Sequence, residues 1–284
     1  MTFLLPLLLL APQAYDPEIE AVMNRRRKQA VEHAAPASAA PVRSPAGDGR
    51  IPTPEKFAKP FQECLDRAIQ SPEQGVAFAQ KWRLEGGGFY ARHCMGFAYA
   101  RAERWAPAVI SFEQAAEDAE RSGEMAQSAR LWAQAGNAAL AAGDAAKARA
   151  SFDAALARGM PDGLEKGEAY LDRARALVAL GDAKGARESL DVALDQAGQD
   201  PLAWLLSATL ARRSGELKLA QEHIARAVQL SPDDASVALE EGNIAILTDH
   251  PDIARAAWGR AVKLAPSSPA GKAAADNLTR LPRS

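Results

Sequence analysis

The chain has 284 residues, of which 25% are charged and 48% belong to the hydrophobic set, as is typical of a soluble globular protein. Its formal net charge is -2, so overall charge does not favour binding to nucleic acid or to an anionic membrane. Aromatic residues make up only 6%, which argues against a large aromatic core, whereas alanine, the best helix former, is abundant.

A short apolar run occupies residues 3–11 and is followed by Pro12. The run is too short to cross a bilayer as a helix, which takes about 20 residues, but it suits the apolar region of a secretory signal. We therefore predict a signal peptide over residues 1–14, cleavage after Ala14, and a periplasmic or otherwise exported protein. No basic residue precedes the run, and Pro12 stands where a small residue is usual. A cytoplasmic protein with a misassigned start codon therefore stays open as the alternative.

Residues 15–53 are predicted to form a short helix followed by a Pro- and Ala-rich linker. The helix carries a basic cluster at residues 25–28, which is typical of a solvated helix face but also suits lipid headgroups. The linker is rich in Pro, Ala, Ser and Gly and cannot bury enough apolar surface to offset its chain entropy. A regulatory module tethered to a membrane through residues 1–33 is a further alternative.

From residue 54 onward the apolar spacing is helical, and three sets of residues recur at intervals of 34. These sets are Ala186, Ala220 and Ala254; Leu190, Ile224 and Trp258; and Ala193, Ala227 and Ala261. Fixed periods of this length indicate stacked helical hairpins, because a single hairpin cannot bury its apolar face alone.

The repeated unit resembles the tetratricopeptide repeat, whose pattern is W-x2-L-G-x2-Y, then A-x3-F-x2-A, then P. The matching residues are Met95, Gly96, Tyr99, Ala108 and Phe112 in the first unit, Trp132, Gly136, Ala148 and Phe152 in the second, Tyr170, Ala174, Ala186 and Leu190 in the third, Trp204, Ala208, Ala220, Ile224 and Pro232 in the fourth, and Gly242, Ala254, Trp258 and Pro266 in the fifth. The resemblance covers residues 89–268 and implies an all-α solenoid of about five stacked helix-turn-helix units. It also implies that the small residues let the two helices of a unit approach closely, and that the larger residues fill the space between successive units.

Two stretches depart from this period, and residues are added near 117–127 and 159–166, where we expect longer helices or loops. Residues 54–88 are predicted to form a degenerate preceding unit. Residues 269–284 are predicted to form a C-terminal capping helix and tail.

The two cysteines fall in neighbouring units of the predicted stack. Cys64 lies in the first helix of the degenerate unit, and Cys94 lies in the first helix of the unit that follows. Because equivalent helices of neighbouring units pack side by side, we predict a disulfide between Cys64 and Cys94 that attaches the degenerate unit to the array. The alternative is that both are small buried hydrophobic residues.

The sequence contains no catalytic, cofactor or metal-binding constellation. The four histidines are scattered, and none pairs with another ligand at the spacing that a metal requires. His93 and Cys94 are adjacent, but neighbours on a helix point in different directions. Residues 86–88 lack the lysine that ends a phosphate-binding loop. We therefore predict that the protein is not an enzyme and binds no cofactor, metal, nucleic acid or small-molecule substrate.

The resemblance also implies a binding surface, because proteins of this family commonly bind a peptide or helix of a partner in a concave groove lined by first helices. The predicted groove residues are Tyr90, His93, Phe97, Arg101, Asn137, Leu171, Arg175, Leu205, Arg212, Arg213, Leu239 and Asn243. The asparagines are expected to bond to a peptide backbone and the last three arginines to hold a carboxylate. The lysines of the chaperone-binding adaptors are missing, so a chaperone tail is not the expected ligand.

The predicted function is therefore a non-catalytic scaffold that binds a partner protein, in the cell envelope if the signal peptide is genuine. The alternatives are the cytoplasmic adaptor and the membrane-tethered module. A further alternative is that the polar groove residues only keep the surface solvated.

Overall fold

The structure, a computed structural model, describes residues 53–281. In that part of the chain it contains thirteen α-helices and no strand. The helices are α1 Glu55–Gln70, α2 Pro72–Leu84, α3 Gly88–Arg101, α4 Trp105–Arg121, α5 Met125–Ala141, α6 Ala145–Ala157, α7 Leu164–Ala179, α8 Ala183–Gln196, α9 Pro201–Arg213, α10 Leu217–Leu230, α11 Ala235–Leu247, α12 Pro251–Leu264 and α13 Pro269–Arg280. The predicted signal peptide, N-terminal helix and nearly all of the linker lie outside the described residues.

Each helix packs against the next one in the chain, so that α1 to α12 form six hairpins and α13 follows as a single helix. First helices of neighbouring hairpins also touch, as α1 does with α3, α5 with α7, α9 with α11 and α11 with α13. This arrangement is an α-solenoid, as predicted from the 34-residue period. Five hairpins carry the repeat, the α1–α2 hairpin precedes them, and α13 covers the last one.

Short glycine turns connect the two helices of several hairpins. Gly181 ends α7 with φ 78°, a left-handed conformation that glycine adopts without steric cost. The next residue, Asp182, caps α8, because its side chain accepts a hydrogen bond from the Gly185 backbone N–H at 2.9 Å. Gly143 and Asp144 mark the turn between α5 and α6 in the same way.

The small residues of the first helices lie directly against bulky residues of the second helices. A Cβ atom built at Gly136 would lie 2.8 Å from ring carbons of Phe152, and one at Gly242 would lie 2.4 Å from Trp258. The bulky residues were predicted to fill the space between successive units. These rings also contact the small residue of their own hairpin, because only the missing side chain leaves room for a ring between paired helices, and Phe152 shares a buried cluster with Ala176 of the next unit.

Replacing Gly242 with alanine is expected to destabilise the protein by about 1–3 kcal/mol, because the new methyl group overlaps the rigid Trp258 ring. Gly259 is the matched control: it is exposed in the adjacent helix α12, and nothing lies within 4 Å of its Cβ position. Gly259→Ala is expected to stabilise by about 0.5–1 kcal/mol through helix propensity alone. Denaturant titration of both variants measures the two effects, and equal shifts would contradict the packing argument.

The residues in excess of the 34-residue period lengthen two helices near residues 117–127 and a loop near residues 159–166. Helices α4 and α5 have 17 residues each, whereas α10 and α12 have 14. The second addition forms the connection from α6 to α7, where Met160 is buried and the Gly163 N–H donates to the Gln196 side chain at 2.8 Å. Both additions are therefore anchored within the stack.

A disulfide joins Cys64 of α1 to Cys94 of α3, the pair predicted from the repeat, and both residues are fully buried. Aromatic packing strengthens the same contact between the helices. The Tyr90 ring lies 4.9 Å from that of Phe57 and 5.6 Å from that of Phe61. The first hairpin is therefore attached to the array covalently as well as by packing.

Candidate functional site

The first helices α3, α5, α7, α9 and α11 together form one face of the solenoid, which we call the first-helix face. Burial changes along these helices in a regular way. Each first helix has one small residue of the repeat pattern, such as Ala174 in α7. The residue three positions before it is partly buried in the first two units and buried in the last three, where Leu171 is only 1% exposed. Five positions after the small residue the surface opens, and Leu247 is 52% exposed. At these equivalent positions the first helices are therefore more accessible toward their C-terminal ends.

Four of the predicted groove residues are buried and have no surface to offer a ligand: Tyr90, Leu171, Leu205 and Leu239. Tyr90 packs in the aromatic contact between α1 and α3. The three leucines belong to the hydrophobic core of the stack. The prediction for these four is wrong, because neighbouring helices of the stack cover them.

His93 lies at the junction of three helices and is partly buried. Its ring is 5.1 Å from that of Phe61 in α1 and 6.1 Å from that of Phe112 in α4. Burial lowers the pKa of His93 to about 4, and a hydrogen bond with the Gln134 side chain opposes part of this shift. His93 is therefore neutral at physiological pH and acts as a packing residue.

Two of the arginines predicted to hold a carboxylate already contact carboxylates of the protein itself. Arg175 forms an ion pair with Asp172 within α7, and the Arg212 guanidinium donates to the Glu240 carboxylate of α11 at 2.6 Å. Both acidic residues are buried, so their charges need these partners. These two arginines stabilise the stack, and Arg213 is the most exposed of the three.

The two predicted asparagines occupy equivalent positions in different surroundings. Asn243 accepts hydrogen bonds from Trp258 Nε1 at 3.2 Å and from Asn277 of α13 at 3.1 Å, and it donates to Glu240. Its side chain therefore connects α11 to α12 and to the last helix. Asn137 is exposed on α5, where its amide is accessible to a ligand.

What remains accessible is a band of mixed polarity along the first-helix face, which we call the exposed strip. It consists of partly or fully exposed residues from all five repeat-bearing hairpins. Its members are Phe97, Arg101, Asn137, Leu140, Val178, Ala179, Arg213, Ile246 and Leu247. Six of them are apolar, and its two ionisable residues are both arginines.

The structure also brings together a serine and a histidine that the sequence analysis did not connect. Ser207 Oγ lies 2.8 Å from His223 Nδ1, and the Arg187 guanidinium donates to the same Oγ at 2.6 Å. Burial, and then the charge of Arg187, lower the pKa of His223. Ser207 is fully buried, so a substrate has no access to its hydroxyl, and the pair is a packing contact between α9 and α10.

Two kinds of feature are absent from residues 53–281. No three His, Cys, Asp or Glu side chains lie close enough together to hold a metal ion. None of the helices in this range is both long and apolar enough to cross a membrane.

Stacked helical hairpins with a 34-residue period define the class of repeat α-solenoids. Residues 133–201 match the model of the tetratricopeptide repeat family. The repeated residues described above agree with this match, and the chain has the fold of a tetratricopeptide-repeat solenoid. A comparison with curated proteins gives no match.

Several solved structures share this fold. PilW, a widely conserved type IV pilus biogenesis factor, superimposes with a TM-score of 0.63 at 19% identity, over 78% of this chain and 98% of its own. PilF of Pseudomonas aeruginosa gives 0.61 at 13%, over 78% of this chain and 100% of its own. YrrB, a tetratricopeptide-repeat protein with an unusual peptide-binding site, gives 0.52 at 18%, over 66% and 91%. At these identities the likeness concerns the fold.

Proposed function

We propose that this protein is a non-catalytic scaffold that binds a segment of a partner protein along the first-helix face. One observation carries the proposal: each of the five successive repeat-bearing hairpins contributes partly or fully exposed first-helix residues to the exposed strip. A continuous band with apolar side chains and a few polar ones suits a chain segment, which presents both kinds of group at short intervals. The peptide-binding site of YrrB, a protein of the same fold, supports the proposal.

A photo-crosslinking amino acid at Asn137, which lies on the strip, is expected to form a crosslink to a partner protein in the native host. The same amino acid at Arg149 is the matched control, because Arg149 is also exposed but lies on the second helix α6. We expect several-fold more adduct from position 137, and mass spectrometry should place the attachment sites in one continuous segment of the partner. Equal yields from both positions would contradict a groove on the first-helix face.

We further propose that the protein acts in the cell envelope. The apolar run at residues 3–11 and the Cys64–Cys94 disulfide support this placement, since disulfides persist mainly in oxidising compartments. The protein recovered for crosslinking also tests this point. A mature N-terminus near Tyr15 with both cysteines oxidised agrees with export, whereas retained Met1 with free thiols indicates the cytoplasmic adaptor. A protein that stays with membranes after a salt wash indicates the tethered module.

A further inference from the structure

An open cleft lies near the N-terminal end of the solenoid, between the second helices α2 and α4, with α3 between them. Its volume is about 600 Å³, which is enough for several side chains. The α2 wall includes Ala77, Lys81 and Leu84, which share one face of that helix at steps of four and three residues. Met95 of α3 and Gln114 of α4 lie on the other walls. None of the residues that line this cleft, which we call the second-helix cleft, belongs to the exposed strip.

The cleft leaves apolar surface in contact with water. Leu84 is 79% exposed, more than any other large hydrophobic residue in the part of the chain that the structure describes. A single exposed leucine is common on a protein surface, but this one borders a cleft in which a second chain can contact it from the side. Covering Leu84 with an apolar side chain would therefore be favourable.

The lining of the cleft is positively charged, since it contains three basic residues and no acidic one. The Arg92 guanidinium donates to the Asp118 carboxylate at 2.6 Å and is already neutralised. Lys81 reaches Glu85 only at 3.7 Å, and both side chains are exposed, so this pair is weak. Arg83 is exposed and pairs with no carboxylate among residues 53–281. The cleft therefore suits an acidic segment that also carries apolar residues.

The chain enters the described structure beside this cleft. Helix α1 begins at Glu55, and the ring of Phe57 lies 6.5 Å from that of Trp82, two residues before Leu84 in α2. The residues that precede α1 are therefore attached close to the cleft. A segment held so near is present at a high effective concentration, so even a weak contact is populated.

Residues 16–23 have the composition that the cleft requires, and they lie outside the described residues. Their acidic residues are Asp16, Glu18 and Glu20, and no basic residue occurs among them. Their larger apolar residues are Ile19, Val22 and Met23, spaced as one face of the helix predicted there. The basic cluster at residues 25–28 follows at once, and the positive lining would repel it. The complementary stretch therefore ends at Met23.

We propose that residues 16–23 dock in the second-helix cleft of their own chain, with their acidic side chains toward Arg83 and Lys81 and their apolar side chains against Leu84. Residues 24–52 are long enough for this, because a flexible coil of that length spans about 30 Å. The inference goes beyond the proposed function, since it concerns a surface outside the exposed strip and a ligand within the same chain. The segment follows the predicted cleavage site and is present whether or not the signal peptide is removed.

The test uses the full-length protein with an apolar photo-crosslinking amino acid in place of Leu84, followed by proteolysis and mass spectrometry. The matched control carries it at Ile253, another exposed apolar residue, which lies in α12. From position 84 we expect adducts to residues 15–24 of the same chain, in a yield that does not change on dilution. From position 253 we expect none to that segment.

A charge reversal tests the ionic part of the contact. Arg83→Glu is expected to lower the yield of the adduct about fivefold, because attraction becomes repulsion. Lys263→Glu reverses the charge of an exposed lysine in α12 and should leave the yield unchanged. Changing Glu18 and Glu20 to Lys in the Arg83→Glu protein should recover part of the yield. Thermal melts show that each variant is folded.

Three results would overturn this inference. Adducts that join two copies and disappear on dilution would assign the cleft to a second molecule of this protein. Adducts to a different protein alone, formed in the native host, would assign it to a partner. No adduct to residues 15–24, or an equal yield from positions 84 and 253, would show that the segment has no preference for the cleft. The proposed function would stand in each case, because crosslinks from Asn137 test it separately.

Discussion

Removing the Cys64–Cys94 disulfide is expected to lower the free energy of unfolding by about 3–4 kcal/mol, because the bond closes a loop of roughly 30 residues in the unfolded chain. In a solenoid each hairpin contacts only its neighbours, so the loss should be concentrated in the first hairpin. We expect α1 and α2 to exchange amide hydrogens much faster in the double variant Cys64→Ala/Cys94→Ala, while exchange in α9 to α12 stays unchanged.

Hydrogen exchange followed by mass spectrometry resolves these segments. Reductant should have the same effect on the wild-type protein and none on the double variant, which controls for effects of the reagent itself. Exchange in α1 that does not change on reduction would mean that aromatic packing around Tyr90 holds the first hairpin without the bond.

Lowering the pH from 6.5 to 4 is expected to destabilise the protein by up to about 3 kcal/mol through His93 alone. Burial lowers the pKa of this histidine to about 4 in the folded state, whereas its ordinary value is 6.5. Above pH 6.5 the ring is neutral in both states and contributes no difference. Below pH 6.5 the unfolded chain takes up a proton that the folded protein does not, so stability falls until the folded state is also protonated near pH 4.

The matched variant for this prediction is His93→Phe, which keeps a ring between Phe61 and Phe112 but cannot titrate. Denaturant titrations at several values between pH 7.5 and pH 4 should show a shallower loss of stability in the variant. His223, whose pKa is also lowered, remains in both proteins and does not affect the difference. Identical pH profiles would show that His93 is accessible to protons in the folded state.

The spacing of alanine and bulky apolar residues along the sequence was enough to predict most of the fold. Alanines at intervals of 34 residues and a small residue paired with a bulky one define a hairpin, because these features reflect contacts within one unit. The predicted repeat array, the degenerate first hairpin and the final helix all have counterparts in the structure.

The candidate site was harder to predict. Tyr90, Leu171, Leu205 and Leu239 were predicted to line the groove from their first-helix positions, yet they are buried. How deeply such a residue lies depends on how closely the neighbouring first helices approach, and this distance is not written in either helix alone.

The sequence by itself determined the helical hairpins and their approximate number, because both follow from local periodicity. It also placed Cys64 and Cys94 on neighbouring first helices, and the structure shows the bond between them. Only the tertiary structure decided which residues remain accessible. The Arg212–Glu240 ion pair joins helices of different hairpins. Whether an arginine serves a ligand or the stack depends on which carboxylate lies within reach, and packing between units sets that distance.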